Sequence, residues 1–560
     1  MRPGLRAGPI AAVALAALVA LSGGSPSGAA RATTGGPPWD GAGPYPSRYD
    51  LRTAARVTPV RSQADFATCW IMSATGSLES ATVTAEGQTP DFSENNLANH
   101  MASRLDYDGM APSELSAAYY ARWEGPVLES SDPYPRPGQS PDYLRAVRHV
   151  QEVLFLPQRR DALDNDAVKW ALMTYGGVDA ALDFDTAPTD RFWNKETNSY
   201  YGLRDQLDHH VLCVGWDDAY PAASFAIPPP GDGAFLIKNS WGTEFGSQGY
   251  FWVSYYDASF GEELAVFDGV ASADDYDAIY QYDALGRSGW IDARGRGAAP
   301  VAAGDGSAWY ASRFTCAGAG KVKAVSFYTP VPGAGYEVRV AGSPGGIAGA
   351  PVAGSGTVAV GGYHTVRLDQ PVPVTTGRAF VVAVRVTTPG WADPVPVERS
   401  SDLIAPRARA GQSYVSADGA TWADLTTLAG LAQANVCLKA FVDAEGAGDT
   451  RPPHVDLAVG VVPPGATARI RWGLRDPAFS SASAVVVLTV RNAAGRVMAR
   501  RRLPAVAVGE RGVWYLSSGW PRGRYSVRGH AYDVAGRRQA VATRATIIVQ
   551  SSAAVVSGRR

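Results

Sequence analysis

The stretch QADFATCW, residues 63–70, decides the reading of this chain, and two later strings complete it: DHHVLCVGW at 208–216 and KNSWG at 238–242. Gln63 stands six residues before Cys69, His209 stands 140 residues after it, and Asn239 follows 30 residues later. A thiol is a weak nucleophile at neutral pH. It needs a base for its proton, a group that orients the base, and donors for the oxyanion that forms on the substrate. Cysteine, imidazole and two carboxamides are that set, and their order predicts a thiol protease. Cys69 is the expected nucleophile, His209 the base and Asn239 the group that fixes the ring. Gln63 and the Cys69 backbone N–H are the expected oxyanion donors, and Trp241 the cover over the Asn–His contact. Each part alone is weak, since a lone cysteine on an apolar helix is usually a core residue and NSWG alone reads as a turn. The conjunction carries the reading.

Working outward, Ile71, Ala74, Leu78 and Ala81 recur at spacings of three and four, which predicts a helix beginning near Trp70 with Cys69 at its N-terminus. There the helix dipole and free N–H groups favour a thiolate. A second helix is predicted from Asp166 to Tyr175. After Asp274 the texture changes to short strands: KVKAVSFYT (321–329), YEVRV (336–340), YHTVRL (363–368), AFVVAVRVT (379–387) and NVCLKAFV (435–442). Their spacing predicts an antiparallel sandwich or jelly roll. RIRWGL, AVVVLTVRN, GVWYL and GRYSVRGHAYDVAGR, the last with a turn at Asp533 to Gly536, predict a second, immunoglobulin-like sandwich.

The chain of 560 residues is too long for one core. Arg2 and Arg6 precede an apolar run from Ile10 to Leu21, and small residues follow through Ala30, the layout of a secretory signal peptide. That run has twelve residues, short of the roughly 20 a membrane helix needs. The expected organisation is a signal peptide at 1–30, a linker at 31–44, a peptidase domain at 45–273, an all-β domain at 274–443, a linker at 444–453 and the last sandwich at 454–549. The expected location is secreted, extracellular or envelope-associated, with no membrane span.

Charge is divided unevenly. Residues 451–560 hold 18 Arg, no Lys and four acidic residues, a net of +14 that leaves −16 on residues 1–450. Such a domain is drawn to polyanions, or it simply uses arginine as solubilising charge.

The same residues identify a family resemblance. The chain resembles the papain-like, C1-type cysteine peptidases, and more narrowly the bacterial group whose peptidase domain is followed by a lectin-like domain. The likeness runs from Tyr45 to Asp443 and includes YPSRYDLR (45–52), FSENNL (92–97), YYARWEGPVLESSDPYP (119–135), VQEVLFLP (150–157), LDNDAVKWALMTYGGV (163–178) and GYFWVSYYD (249–257). The downstream part shares YDAIYQYDALG (276–286), VSFYTP (325–330), GYHTVRLD (362–369) and AGQSYVSADGATW (410–422). The resemblance implies an α+β papain-like domain, an all-β lectin-like domain and the roles given above for Gln63, Cys69, His209 and Asn239. It implies protein or peptide substrates and no cofactor. His210 lies where the family has a small residue, and neighbouring strand positions face opposite ways, so only one of the two histidines faces Cys69; His209 is the choice.

There are departures. The family's disulfide cysteine three residues before the nucleophile is Phe66 here. Ala64 and Ala67 replace glycines, Thr68 replaces a serine, and Asp108 and Gly109 stand where relatives have a glycine pair.

Of the other cysteines, Cys213 is expected buried and reduced, and Cys316 and Cys437 are a candidate bridge in an exported protein. Asp274, Asp275, Asp277 and Asp283 lack calcium-loop spacing and read as a solvated acidic turn. No CxxC, HExxH or phosphate loop occurs, so neither a metal site nor a nucleic-acid function is expected. The rival reading is a catalytically impaired adhesin or glycan-binding protein on a peptidase scaffold, with Trp290, Trp309 or Trp422 stacking on sugars.

Overall fold

Helix α1 (Cys69–Glu86) begins at the cysteine itself, and 14 of its 18 residues are buried. The apolar stripe covers one side, and hydroxyls satisfy the rest: Ser73 donates to the Val211 carbonyl at 2.7 Å, Ser77 to Gly177 at 2.7 Å and Ser80 to Arg56 at 2.5 Å. Gly76 lets the helix approach the sheet closely, since a Cβ there would lie 3.1 Å from Leu212. Gly87, at φ +67°, ends the helix in the left-handed conformation that glycine adopts without cost. Helices α2 (Glu94–His100) and α3 (Ser113–Ala121) pack on it, while α4 (Asp166–Thr174), the second helix the sequence predicts, packs on strands Val178–Leu182 and His209–Asp217. The computed structural model describes residues 37–101, 103–184, 191–295, 306–445, 452–476, 483–517, 519–533 and 537–550. The leader at 1–30, the middle of the linker at 446–451 and most of the turn at Asp533 to Gly536 lie outside them.

Opposite α1, the strands Arg148–Phe155, Leu264–Ser272, Val178–Leu182, His209–Asp217, Ala234–Lys238 and Tyr250–Ser254 are hydrogen-bonded in that order, and Arg48–Asp50 adds to His209–Asp217. This sheet does not stop at the predicted domain boundary. Strand Gly362–Val374 pairs antiparallel with Arg148–Phe155 through Gly362↔Leu154, Tyr363↔Val153 and His364↔Glu152. Beyond it lie Gly320–Thr329, Leu438–Ala444 and Ala278–Tyr280, so one 13-stranded sheet runs through both units. The all-β unit faces this sheet with a second of six strands, and Tyr310, Phe327, Val338, Val382 and Leu438 lie in the core they share. It is the predicted sandwich.

Residues 454–549 form a three-stranded sheet (His454–Ala458, Thr467–Arg475, Arg511–Ser517) and a five-stranded sheet that share a core of Val455, Ile470, Trp472, Val486, Trp514 and Val527.

Several expectations change. Cys213 is buried and free, but so are Cys316 and Cys437, which sit in different cores and form no bridge. Asp283 is not a solvated turn residue: it makes a 2.6 Å ion pair with Lys439 in which both side chains are 1% exposed. Asp274 and Asp275 pair instead with Arg145 and Arg367. Trp309 is core, and Trp290 and Trp422 are half-buried, so none of the three is fully exposed. Part of the C-terminal arginine charge is spent inside the chain, as Arg500 and Arg502 meet Asp142 and Glu124 of the N-terminal unit.

Candidate active site

The N-terminus of α1 and the first residues of strand His209–Asp217 meet at Cys69. The cysteine is 2% exposed, and its sulfur faces the backbone N–H groups of His210 and Trp70. Those donors favour a thiolate, but burial outweighs them and pushes the thiol up to about 11, with Asp179 adding to the rise. The helix end favours the thiolate, as the sequence reading expects, but does not by itself outweigh burial. Burial also pushes the His209 imidazole down to about 4, against the Asn239 hydrogen bond. Neither charge is favoured by itself in so dry a place. An ion pair of the two would let each charge offset the burial of the other.

The structure brings His209 and Asn239 together, with Nε2 of the ring 2.9 Å from the Asn239 Oδ1. That oxygen accepts, so Nε2 carries the proton and Nδ1 is the acceptor nitrogen of the ring. Trp241 lies over the contact, its ring centroid 5.0 Å from the imidazole. Phe184 stacks on the imidazole at 5.5 Å and 15°, and Phe245 packs on Trp241 at 4.9 Å. These rings keep water from the His–Asn bond.

Gln63 reaches the same place from the other side. Its Oε1 accepts the Ser240 hydroxyl at 2.6 Å, and its Nε2 donates to the Phe66 carbonyl at 2.7 Å. One N–H of the carboxamide remains for a substrate oxygen. Ser240 also receives the Gln63 N–H on its carbonyl at 2.7 Å and donates its own N–H to Asn239 Oδ1 at 2.8 Å. Gln63 and Asn239 are thus wired through one serine. The substituted loop is accommodated around them: Ala67 N–H donates to Asp108 Oδ1, and the Trp70 indole donates to the Gly109 carbonyl at 2.9 Å.

His210 faces elsewhere. Its Nδ1 lies 3.1 Å from Asp179 Oδ1, and Asp179 Oδ2 accepts from Ser113 at 2.6 Å. Burial pulls this imidazole down, but the charge and hydrogen bond of Asp179 outweigh burial and leave it raised.

Sequence reasoning names Gln63, Cys69, His209, Asn239 and Trp241 and misses Ser240, Phe184 and Asp179. Ser240 sits inside KNSWG and is signalled by position only. Phe184 and Asp179 carry no local signal, because strand pairing of Val178–Leu182 with His209–Asp217 is what brings them near.

Residues 45–264 match the papain family cysteine proteases and residues 279–442 match the lectin like domain. Among curated proteins, Testin-2 of Mus musculus is 32% identical over 211 residues, 37% of this chain and 59% of that protein. Pro-cathepsin H of Bos taurus is 30% identical over 220 residues, 38% of this chain and 60% of that protein. The chain thus spans about three-fifths of these relatives' length. Among solved structures, the cysteine protease and lectin-like domains of Cwp84, a surface layer associated protein of Clostridium difficile, align with a TM-score of 0.61 at 25% identity. That alignment covers 72% of this chain and 90% of the other. Over residues 45–264 the chain belongs to the papain family of cysteine proteases, and it carries a lectin-like domain over residues 279–442.

Proposed function

We propose that the chain is a secreted cysteine peptidase that hydrolyses peptide bonds through an acyl-enzyme thioester. The observation that carries this reading is the wiring of Gln63, Ser240, Asn239 and His209 around the α1 terminus that holds Cys69. His209 Nδ1 takes the Cys69 proton as sulfur attacks the scissile carbonyl carbon. The resulting oxyanion is met by the free Gln63 N–H and the Cys69 backbone N–H. The imidazolium then gives its proton to the leaving amine as the C–N bond breaks, and a thioester remains. Water, deprotonated by the same imidazole, attacks the thioester and releases the carboxylic acid and the thiol. No cofactor enters this sequence.

The leader pattern at 1–30 supports export. Among the described residues no helix is long and apolar enough to cross a membrane. The lectin-like unit and an immunoglobulin-like last domain would hold the peptidase at a surface. Outward-facing Arg469 and Arg471 on strand Thr467–Arg475 support contact with an envelope polyanion. Salt-independent retention of the full chain on an anionic polymer would remove that contact.

Fluorogenic peptides test the activity. The parent is expected to cleave them, Cys69→Ala to abolish cleavage, and His209→Ala to reduce it at least a hundredfold, roughly the contribution of a general base. Parent and Cys69→Ala chains with equal activity would sink the reading. The impaired-adhesin alternative predicts no cleavage by either.

A further inference from the structure

The loop from Gln63 to Thr68 joins the oxyanion residue to the residue before the nucleophile, and it carries a strain. Ala64 sits at φ +52°, a left-handed conformation that is unfavourable for a residue with a Cβ. Such a conformation persists only when its surroundings hold it. Phe66 stands where the family this loop resembles has a disulfide cysteine, and the loop itself holds no cysteine.

One phenol spans the loop instead. The Tyr134 hydroxyl donates to the Gln63 carbonyl at 2.7 Å and lies 2.6 Å from the Thr68 hydroxyl. A carbonyl only accepts, so the phenol proton is committed to Gln63 and Thr68 must donate to the phenol oxygen. The result is an ordered relay from Thr68 through Tyr134 to Gln63. The Phe66 N–H, at 3.3 Å, takes the second position on the same carbonyl. Phe66 sets its ring edge-on against Tyr107 at 5.1 Å and against Tyr134 at 6.5 Å, an arrangement aromatic pairs favour.

Tyr134 is itself fixed. Its N–H donates to Glu129 Oε1 at 2.8 Å. Two residues earlier, Asp132 accepts from the side chains of Asn95 at 2.6 Å and Asn96 at 2.8 Å, which ties the segment to α2. Burial pushes the phenol up to about 12, so it keeps its proton across any working pH.

Resting on the peptidase reading above, we propose that Tyr134 is a positioning residue of this site, whose phenol holds the loop 63–68 so that the free Gln63 N–H points at the oxyanion. It touches no reacting atom. Its contribution is expected in steps that use the oxyanion donors and not in the intrinsic reactivity of the thiol.

Tyr134→Phe keeps the ring and removes the relay. Five quantities are measured on the full chain: kcat and KM for a fluorogenic peptide, affinity for a peptide aldehyde, the rate of Cys69 alkylation by iodoacetamide, and melting temperature. The aldehyde forms a tetrahedral adduct whose oxygen occupies the oxyanion position, whereas alkylation does not use it. We expect kcat and aldehyde affinity to fall about tenfold, less than the hundredfold or more typical of deleting an oxyanion donor outright. KM, alkylation rate and melting temperature should stay at parental values, and Gln63→Ala should mask the loss when the two changes are combined. Unchanged aldehyde affinity, equal loss of aldehyde affinity and alkylation, or full additivity with Gln63→Ala overturns the proposal. If Tyr134→Phe melts well below the parent, Thr68→Val cuts the relay at its other end and must show the same separation of aldehyde affinity from alkylation. A parent that cleaves beside an unaffected Tyr134→Phe sinks the Tyr134 role alone. A parent that neither cleaves nor forms the aldehyde adduct sinks the peptidase reading and this one with it.

Discussion

Two adjacent histidines are separated by their partners: His209 by Asn239 and His210 by Asp179. The ion pair raises His210 above its unfolded value of roughly 6.5, so the bound proton stabilises the folded chain. That contribution is complete below about pH 6.5 and is lost as pH rises through the folded value. Asp179→Asn removes its main source. As pH rises above about 6.5, urea denaturation should show the parent losing more stability than the variant, and parallel profiles would contradict the assignment. Gln63, Cys69, His209 and Asn239 are legible in the sequence because the chemistry restricts their residue types and the chain fixes their order. Ser240, Phe184 and Tyr134 are not, because serine and aromatic residues are common and these act through closeness that only the folded chain creates.

Helix α1 and α4 announce themselves by apolar spacing, and most strands by alternation. The run Arg500, Arg501, Arg502 hides strand Val497–Ala507, since its side chains alternate between solvent and the neighbouring unit with no change of residue type. What no local pattern shows is which strands meet, and so the sheet that crosses the predicted boundary near Asp274 is absent from the sequence reading. Gly362 makes that crossing. Its φ is +151°, and a Cβ there would stand 2.1 Å from the Val153 carbonyl oxygen. Gly362→Ala must open the pairing of Gly362–Val374 with Arg148–Phe155, at a cost of about 3 kcal/mol. Thermal melts should drop by several degrees, and an unchanged melt would show that the junction bears little of the stability.

At the scale of the molecule, composition shows the charge imbalance but not its use. Arg502 lies 2.8 Å from Glu124 and 3.5 Å from Asp142, while Arg122 reaches Glu124 at 3.0 Å. Burial alone would raise the Glu124 carboxyl, but the two guanidinium groups outweigh it and hold it below its usual range. Across the same interface Glu510 meets Arg409 at 3.3 Å and Arg407 at 3.8 Å. Replacing one partner of a buried pair leaves the other charge uncompensated, at about 3–5 kcal/mol. Arg502→Met should therefore loosen the last domain and speed proteolytic cleavage within the 444–453 linker, and an unchanged cleavage rate would mean that docking does not depend on this network. We propose that Cys69 and His209 form one activated pair. Its most direct test is an epoxysuccinyl peptide probe with mass-spectrometric location of the adduct, applied to the parent, His209→Ala and His210→Ala. Labelling confined to Cys69, lost with His209→Ala and retained with His210→Ala, is the predicted result. Failure of the folded, reduced parent to label, or labelling that survives His209→Ala, would contradict it.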